Sequence, residues 1–194
     1  SEFISLLKSI AVFLGIAFVL RASVVEAFKI PSESMLPTLE IGDHILVNKM
    51  SYGLHFPFLD TALWQYGLPD RGDVVVFTLP DNPATPEDET DTNIIKRVVG
   101  LPGDKVEVRG TLVYINDQAL DEHYSQWLSG GIKDFGPKLV PQGKVLLFGD
   151  NRDRSKDSRY WTDPFLNITR IKGRAFVIYW NSFFHMNRIL NLVR

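Results

Sequence analysis

Past residue 25 this 194-residue chain drops any helical period and proceeds in short extended runs, which restricts it to a body built from strands. The runs Asp43–Met50, Val74–Thr78, Asn93–Val99, Lys105–Arg109, Leu112–Ile115, Lys144–Phe148 and Arg174–Tyr179 are β-branched or aromatic, and Gly, Pro, Asp or Asn punctuates them. No strand alternates with a helical segment, so the pattern argues against a parallel sheet. The expected fold is mainly β, an antiparallel sheet partly closed into a barrel-like domain. Within it Lys105–Ile115 reads as a hairpin turning through Arg109-Gly110-Thr111. Asp81–Thr92 carries acidic residues and two prolines without a basic partner, and reads as an exposed, mobile loop between strands. Glu122–Val140 is Gly-rich with isolated aromatics, which fits a small β elaboration. Tyr52–Tyr66 interleaves aromatic and aliphatic residues with few charges, and either enters the core or dips into a bilayer interface.

Ahead of the strands, Ile10–Leu20 is an uninterrupted run of Ile, Ala, Val, Phe, Leu and Gly. Counted from Phe3 the stretch reaches 18 residues, broken by Ser5, Lys8 and Ser9. As a helix it is about 27 Å long, close to the thickness of a hydrocarbon core. A cleaved secretory segment, a buried core helix and an in-plane amphipathic helix are the alternatives. No small-x-small cleavage site follows, because Leu20-Arg21-Ala22-Ser23-Val24 leads into another moderately apolar segment. Residues 1–22 are therefore expected to form one transmembrane anchor and 23–194 a β domain. Lys8 on one side and Arg21 and Lys29 on the other leave the orientation open.

Composition excludes several function classes. The net charge of -2 and pI near 6.1 provide no basic footprint for nucleic acid. With no cysteine there is no disulfide, thiolate metal site or thiol nucleophile. His44, His55, His123 and His185 lie far apart without metal-ligand spacing, so neither a metal nor another cofactor is expected.

Two residues invite a chemical reading. Ser34 lies in Ile30-Pro31-Ser32-Glu33-Ser34-Met35-Leu36-Pro37-Thr38-Leu39, and Lys96 in Ile94-Ile95-Lys96-Arg97-Val98-Val99-Gly100-Leu101-Pro102-Gly103-Asp104. Taken alone, Ser34 is a turn serine of the kind that caps backbone groups. Lys96 sits in a strand where Ile94 and Val98 share its face, while Ile95 and Val99 flank Arg97 on the other; one of the two faces is expected to meet solvent. A lysine on the dry face must lower its pKa from about 10.4 to about 7, at a cost near 4 kcal/mol, to act as a base. A snorkelling or salt-bridged lysine is the alternative.

Four blocks, Phe28–Leu39, Arg71–Phe77, Ile94–Asp104 and Gly149–Trp161, resemble in order and sequence the bacterial type I signal peptidases, or leader peptidases. The resemblance runs from the apolar segment almost to the C-terminus. It implies a membrane-bound serine endopeptidase that removes signal peptides from exported preproteins after a small-x-small site. It also implies a cytoplasmic-membrane location, single-pass, with the β domain on the extracytoplasmic side near the secretion translocon. The partners implied are preprotein signal peptides and the lipid bilayer.

By the same resemblance Ser34 is the nucleophile and Lys96 the general base. Ser32 joins the Ser34 N–H in holding the oxyanion, Ser155 orients the lysine, and Asp157 with Arg159 braces the loop. Phe28, Ile30, Pro31, Met35, Leu39, Ile94 and Ile95 match pocket-lining positions suited to alanine-sized side chains. The non-catalytic insertion, at about 104–143, is short, and Thr162-Asp163-Pro164-Phe165 departs from the usual continuation after Tyr160-Trp161. A calcium loop over Asp153, Ser155 and Asp157 is rejected, since its glycine position holds Ser158 and its twelfth position Pro164. A self-cleaving Ser/Lys regulator related to SOS repressors and a membrane-tethered β binding module without activity are the competing functions.

Overall fold

The computed structural model describes residues 2–54, 63–79, 93–128 and 134–194, with the backbone alone at 18–22. One helix, α1 (Glu2–Val24), runs directly into the first strand. The strands are β1 (Val25–Lys29), β2 (Asp43–Asn48), β3 (Gly53–Leu54), β4 (Trp64–Gln65), β5 (Val74–Phe77), β6 (Ile94–Gly100) and β7 (Lys105–Arg109). They continue with β8 (Leu112–Ile115), β9 (Gln118–Ala119), β10 (Phe135–Leu139), β11 (Lys144–Phe148), β12 (Phe165–Asn167) and β13 (Ile171–Asn181).

Seven strands form one sheet in the order β1-β2-β13-β5-β6-β11-β12, and four form a second in the order β10-β7-β8-β9. Among the described residues every pairing between these strands is antiparallel. The expected hairpin is β7 and β8, in register Val106↔Ile115 and Val108↔Val113. Gly110 at its turn has φ +60, a left-handed backbone that a β-branched residue would strain to adopt.

The fold is mainly β and antiparallel, as expected, but no closed barrel forms: among the described residues the large sheet has β1 and β12 as its edges, and they do not pair with each other. The expectation of a membrane span over 1–22 also changes. The helix forms and extends to Val24, but among the described residues no helix is long and apolar enough to cross a membrane. Glu2, Ser5, Lys8 and Ser9 dilute its first three turns. The loop reading of Asp81–Thr92 lies outside the described residues, as do 55–62 of the apolar segment and 129–133 of the elaboration. Of that apolar segment, Tyr52 is buried, while Leu63, Trp64 and Tyr66 are exposed.

The body is organised around β6. Ile95 belongs to one core with Ile30, Met35 and Leu39; Val98 to a second with Phe77 and Leu147; Val99 to a third with Val106 and Phe148. The strand lies inside the sheet between β5 and β11 and is covered on both faces, so the expected solvent face does not exist. Both Lys96 and Arg97 are therefore buried, and each needs a partner supplied from elsewhere in the chain.

Candidate active site

The turn that carries Ser34 is held from below. Met35 and Leu39 are fully buried beside Ile45 and Val76, each contributing roughly 1.5 to 3 kcal/mol of burial that pins the turn to the sheet. Leu36 N–H donates to Glu33 O at 3.1 Å and closes the turn. Val75↔Lys96 and Val76↔Ile95 in the β5–β6 register then bring the lysine beneath it.

Lys96 Nζ lies 3.0 Å from Ser34 Oγ and 3.0 Å from Ile95 O. Ser32 Oγ is 3.3 Å from Ser34 Oγ. Ser34 is 8% exposed and Lys96 5%, so the pair is nearly dry yet opens into a cavity of about 350 Å³. Pro31, Ile94 and Ile95 provide its apolar wall, and Arg154 and Lys156 stand at its polar side. Glu33, next in sequence to the serine, turns to solvent and pairs with Arg154 at 2.7 Å.

The remaining expected residues are distributed as follows. Ser155 is buried close by, and its Oγ has no hydrogen-bond partner among the described residues. A Cβ on Gly149 would lie 2.2 Å from that Oγ and 2.4 Å from Ser34 O, so only glycine lets the two segments meet. Asp157 and Arg159 form a fully buried bidentate pair, with Nε–Oδ1 and Nη2–Oδ2 both at 2.8 Å. Asp157 also accepts from Gly149 N–H at 2.9 Å, and Arg159 donates to Arg152 O at 2.8 Å, so the pair braces this loop. Burial works against the Arg159 charge, but the Asp157 carboxylate outweighs it and holds the guanidinium pKa above its ordinary value. Of the residues expected to line a pocket, Ile30, Met35 and Leu39 are buried in the core beneath the turn, and Phe28 packs partly against that core.

Other supports were not read from the sequence. Arg97 grips Asp150 with Nε–Oδ1 at 2.8 Å and Nη2–Oδ2 at 2.6 Å, donates to Gly72 O at 2.6 Å, and stacks 3.9 Å from the Tyr124 ring centroid. Arg152 makes a bidentate pair with Glu122 at 2.5 and 2.9 Å and donates to Gly149 O. Asn151 donates to Ser34 O from its backbone and to Glu33 O from its side chain. The run Gly149-Asp150-Asn151-Arg152 and the adjacent Lys96-Arg97 were the signals available, since charged residues beside buried ones need partners. Glu122 and Tyr124 left none, because the arginines they meet, Arg152 and Arg97, lie 27 or more residues away in sequence.

The family model described as "Signal peptidase, peptidase S26" matches residues 3–180. Signal peptidase I of Pseudomonas aeruginosa is 38% identical over 89% of this chain and 70% of its own length. Signal peptidase I of Leptolyngbya laminosa is 40% identical over 90% of this chain and 78% of its length. A solved signal peptidase I from Enterococcus faecalis aligns with TM-score 0.44 and 30% identity, covering 57% of this chain and 98% of that one.

Proposed function

Because the chain belongs to the signal peptidase family, peptidase S26, we propose that it is a serine endopeptidase cleaving N-terminal signal peptides from preproteins with Ser34 as nucleophile and Lys96 as general base. The observation that carries the roles is the 3.0 Å contact between Lys96 Nζ and Ser34 Oγ inside a nearly dry cavity. The neutral amine takes the Ser34 proton as Oγ attacks the scissile carbonyl. Ser34 N–H and Ser32 Oγ hold the oxyanion that forms. The ammonium then protonates the leaving amine, and the amine so regenerated activates water to release the acyl group. Asp157 and Arg159 hold the Gly149 loop against the nucleophile turn. The self-cleaving regulator and the inactive binding module are not favoured by relatives that are named as signal peptidases.

Pro31, Ile94 and Ile95 crowd the cavity and suit an alanine-sized side chain before the cut, with Phe28, Ile30, Met35 and Leu39 setting its floor from below. Purified chain in phospholipid vesicles is expected to cut a preprotein after Ala-x-Ala, as read by N-terminal sequencing of the product. Replacing the alanine before the cut by phenylalanine is expected to lower kcat/KM by about 100-fold, since the ring would have to displace Pro31, Ile94 or Ile95 beside Ser34. Equal turnover of both precursors would sink the assignment of this cavity.

The division into an anchor, α1, and an extracytoplasmic catalytic domain with a small insertion is part of the same proposal. Phe3, Leu6, Phe13 and Ile16 are all more than half exposed, and apolar residues occupy every side of the described helix. Large apolar side chains exposed on every side of the turns beyond Ser9 need a non-aqueous neighbour, and lipid provides one. We place it in the cytoplasmic membrane with the β domain outside, where exported chains emerge. Leu14→Asp with Ile16→Asp is expected to move the chain from floating vesicles to the aqueous fraction, each carboxylate costing about 3 kcal/mol in lipid. Unchanged flotation would remove α1 as the anchor, and protection of the β domain from protease added to spheroplasts would reverse the orientation.

A further inference from the structure

Asn151 is completely buried and directs its hydrogen bonding at the nucleophile turn. Its backbone N–H donates to Ser34 O at 3.1 Å and its Nδ2 to Glu33 O at 3.1 Å. A carbonyl can only accept, so the amide must present its nitrogen to Glu33, and Oδ1 is left without a partner among the described residues. The residue is itself held from behind, where Gln126 N–H donates to Asp150 O at 2.7 Å and Arg152 N–H to Gln126 O at 2.9 Å.

Glu33 C=O and Ser34 N–H are two ends of one trans peptide group and point in opposite directions. Whatever grips the carbonyl aims the N–H. Among the described residues Ser34 N–H donates to no protein acceptor, and Ser34 lines the cavity. We infer that Asn151 is a positioning residue for the oxyanion hole: its side-chain amide fixes the Glu33–Ser34 peptide plane so that Ser34 N–H faces the developing negative charge. The inference rests on the peptidase reading above and adds to it a residue that touches neither substrate nor base. Leu36 N–H also donates to Glu33 O, so the turn survives loss of the side chain while the peptide regains freedom to tilt. A tilt away from the oxyanion weakens a hydrogen bond made only in the transition state, and such a loss appears in kcat.

Asn151→Ala and Asn151→Asp test this directly, the second keeping the shape but replacing the donor with an acceptor. Both are expected to lower kcat on an Ala-x-Ala preprotein by about 10- to 100-fold with KM within about twofold, Asp more than Ala. The pH dependence of Asn151→Ala is expected to match that of the unsubstituted chain, because no charge is added or removed beside Ser34. A peptide boronate supplies the decisive readout. Ser34 Oγ bonds to boron as its proton passes to Lys96, giving an anionic tetrahedral adduct that needs the same donors. Its affinity is expected to fall by the factor lost in kcat, while an uncleavable peptide of the same sequence binds as before. Ser32→Ala serves as the reference for losing a donor outright.

Wild-type kcat in both variants would overturn the inference. So would equal losses for the boronate and the uncleavable peptide, or a loss matching the fraction unfolded in a thermal melt. Failure of the peptidase reading itself is seen separately, as absent cleavage by the unsubstituted chain or full cleavage by Ser34→Ala.

Discussion

Ser34→Ala and Lys96→Ala are each expected to lower kcat on a preprotein by about 10⁴- to 10⁶-fold with the fold intact. Nucleophile and base act as a unit, since the serine is not attacking without the amine and the amine has nothing to activate without the serine. The double variant is therefore expected to be no worse than either single one. Lys96→Arg should be equally inactive, because a guanidinium does not deprotonate in a protein and cannot accept the Ser34 proton. Gel-based turnover of a precursor measures all of these, and a Lys96→Ala enzyme keeping a tenth of wild-type kcat would end the dyad.

Asp150→Ala is expected to have the largest effect on stability. Arg97 is 1% exposed and has its charge met by Asp150, which is fully buried. Removing the carboxylate leaves a guanidinium in the interior with Gly72 O and Thr38 as acceptors but no counter-charge. Breaking such a pair from one side costs about 3 to 5 kcal/mol, which for a domain of this size lowers Tm by roughly 6 to 20 °C. Arg97→Met combined with Asp150→Leu removes both charges and should recover much of the loss, since the desolvation cost goes with them. Thermal and urea unfolding of the two variants and the unsubstituted chain give the comparison. A single variant as stable as wild type would mean the pair contributes nothing to the fold. Asp150 also neighbours Asn151, so the single variant is expected to lose activity even below its melting temperature.

The strands that read clearly in the sequence share a cause. β2, β5, β6, β7, β8 and β11 are apolar-rich runs whose burial is decided by their own side chains, as in Val74–Phe77, where all four residues are buried. β1 was not legible, because Val25–Lys29 continues from an apolar helix and carries Glu26 and Lys29. Its strand character comes from pairing with β2, Phe28 opposite Ile45. β10 and β12 have the same origin, Phe135–Leu139 containing Gly136 and Pro137 and being held by β7.

The candidate site divides the same way. Ser32, Ser34 and Lys96 stand in runs whose order along the chain marks the family, and linear patterning sufficed to single them out. Which face of β6 is dry could not be read from alternation, because alternation assumes that one face is wet. Burial on both faces is imposed by the three cores that meet at this strand. Enclosure of Lys96 beside Ser34, the arginine that Asp150 must neutralise, and the grip of Asn151 on the Glu33 carbonyl all join segments more than fifty residues apart. Local residue types set the chemistry available to this chain, while long-range packing set the dielectric and the geometry in which a lysine can serve as a base.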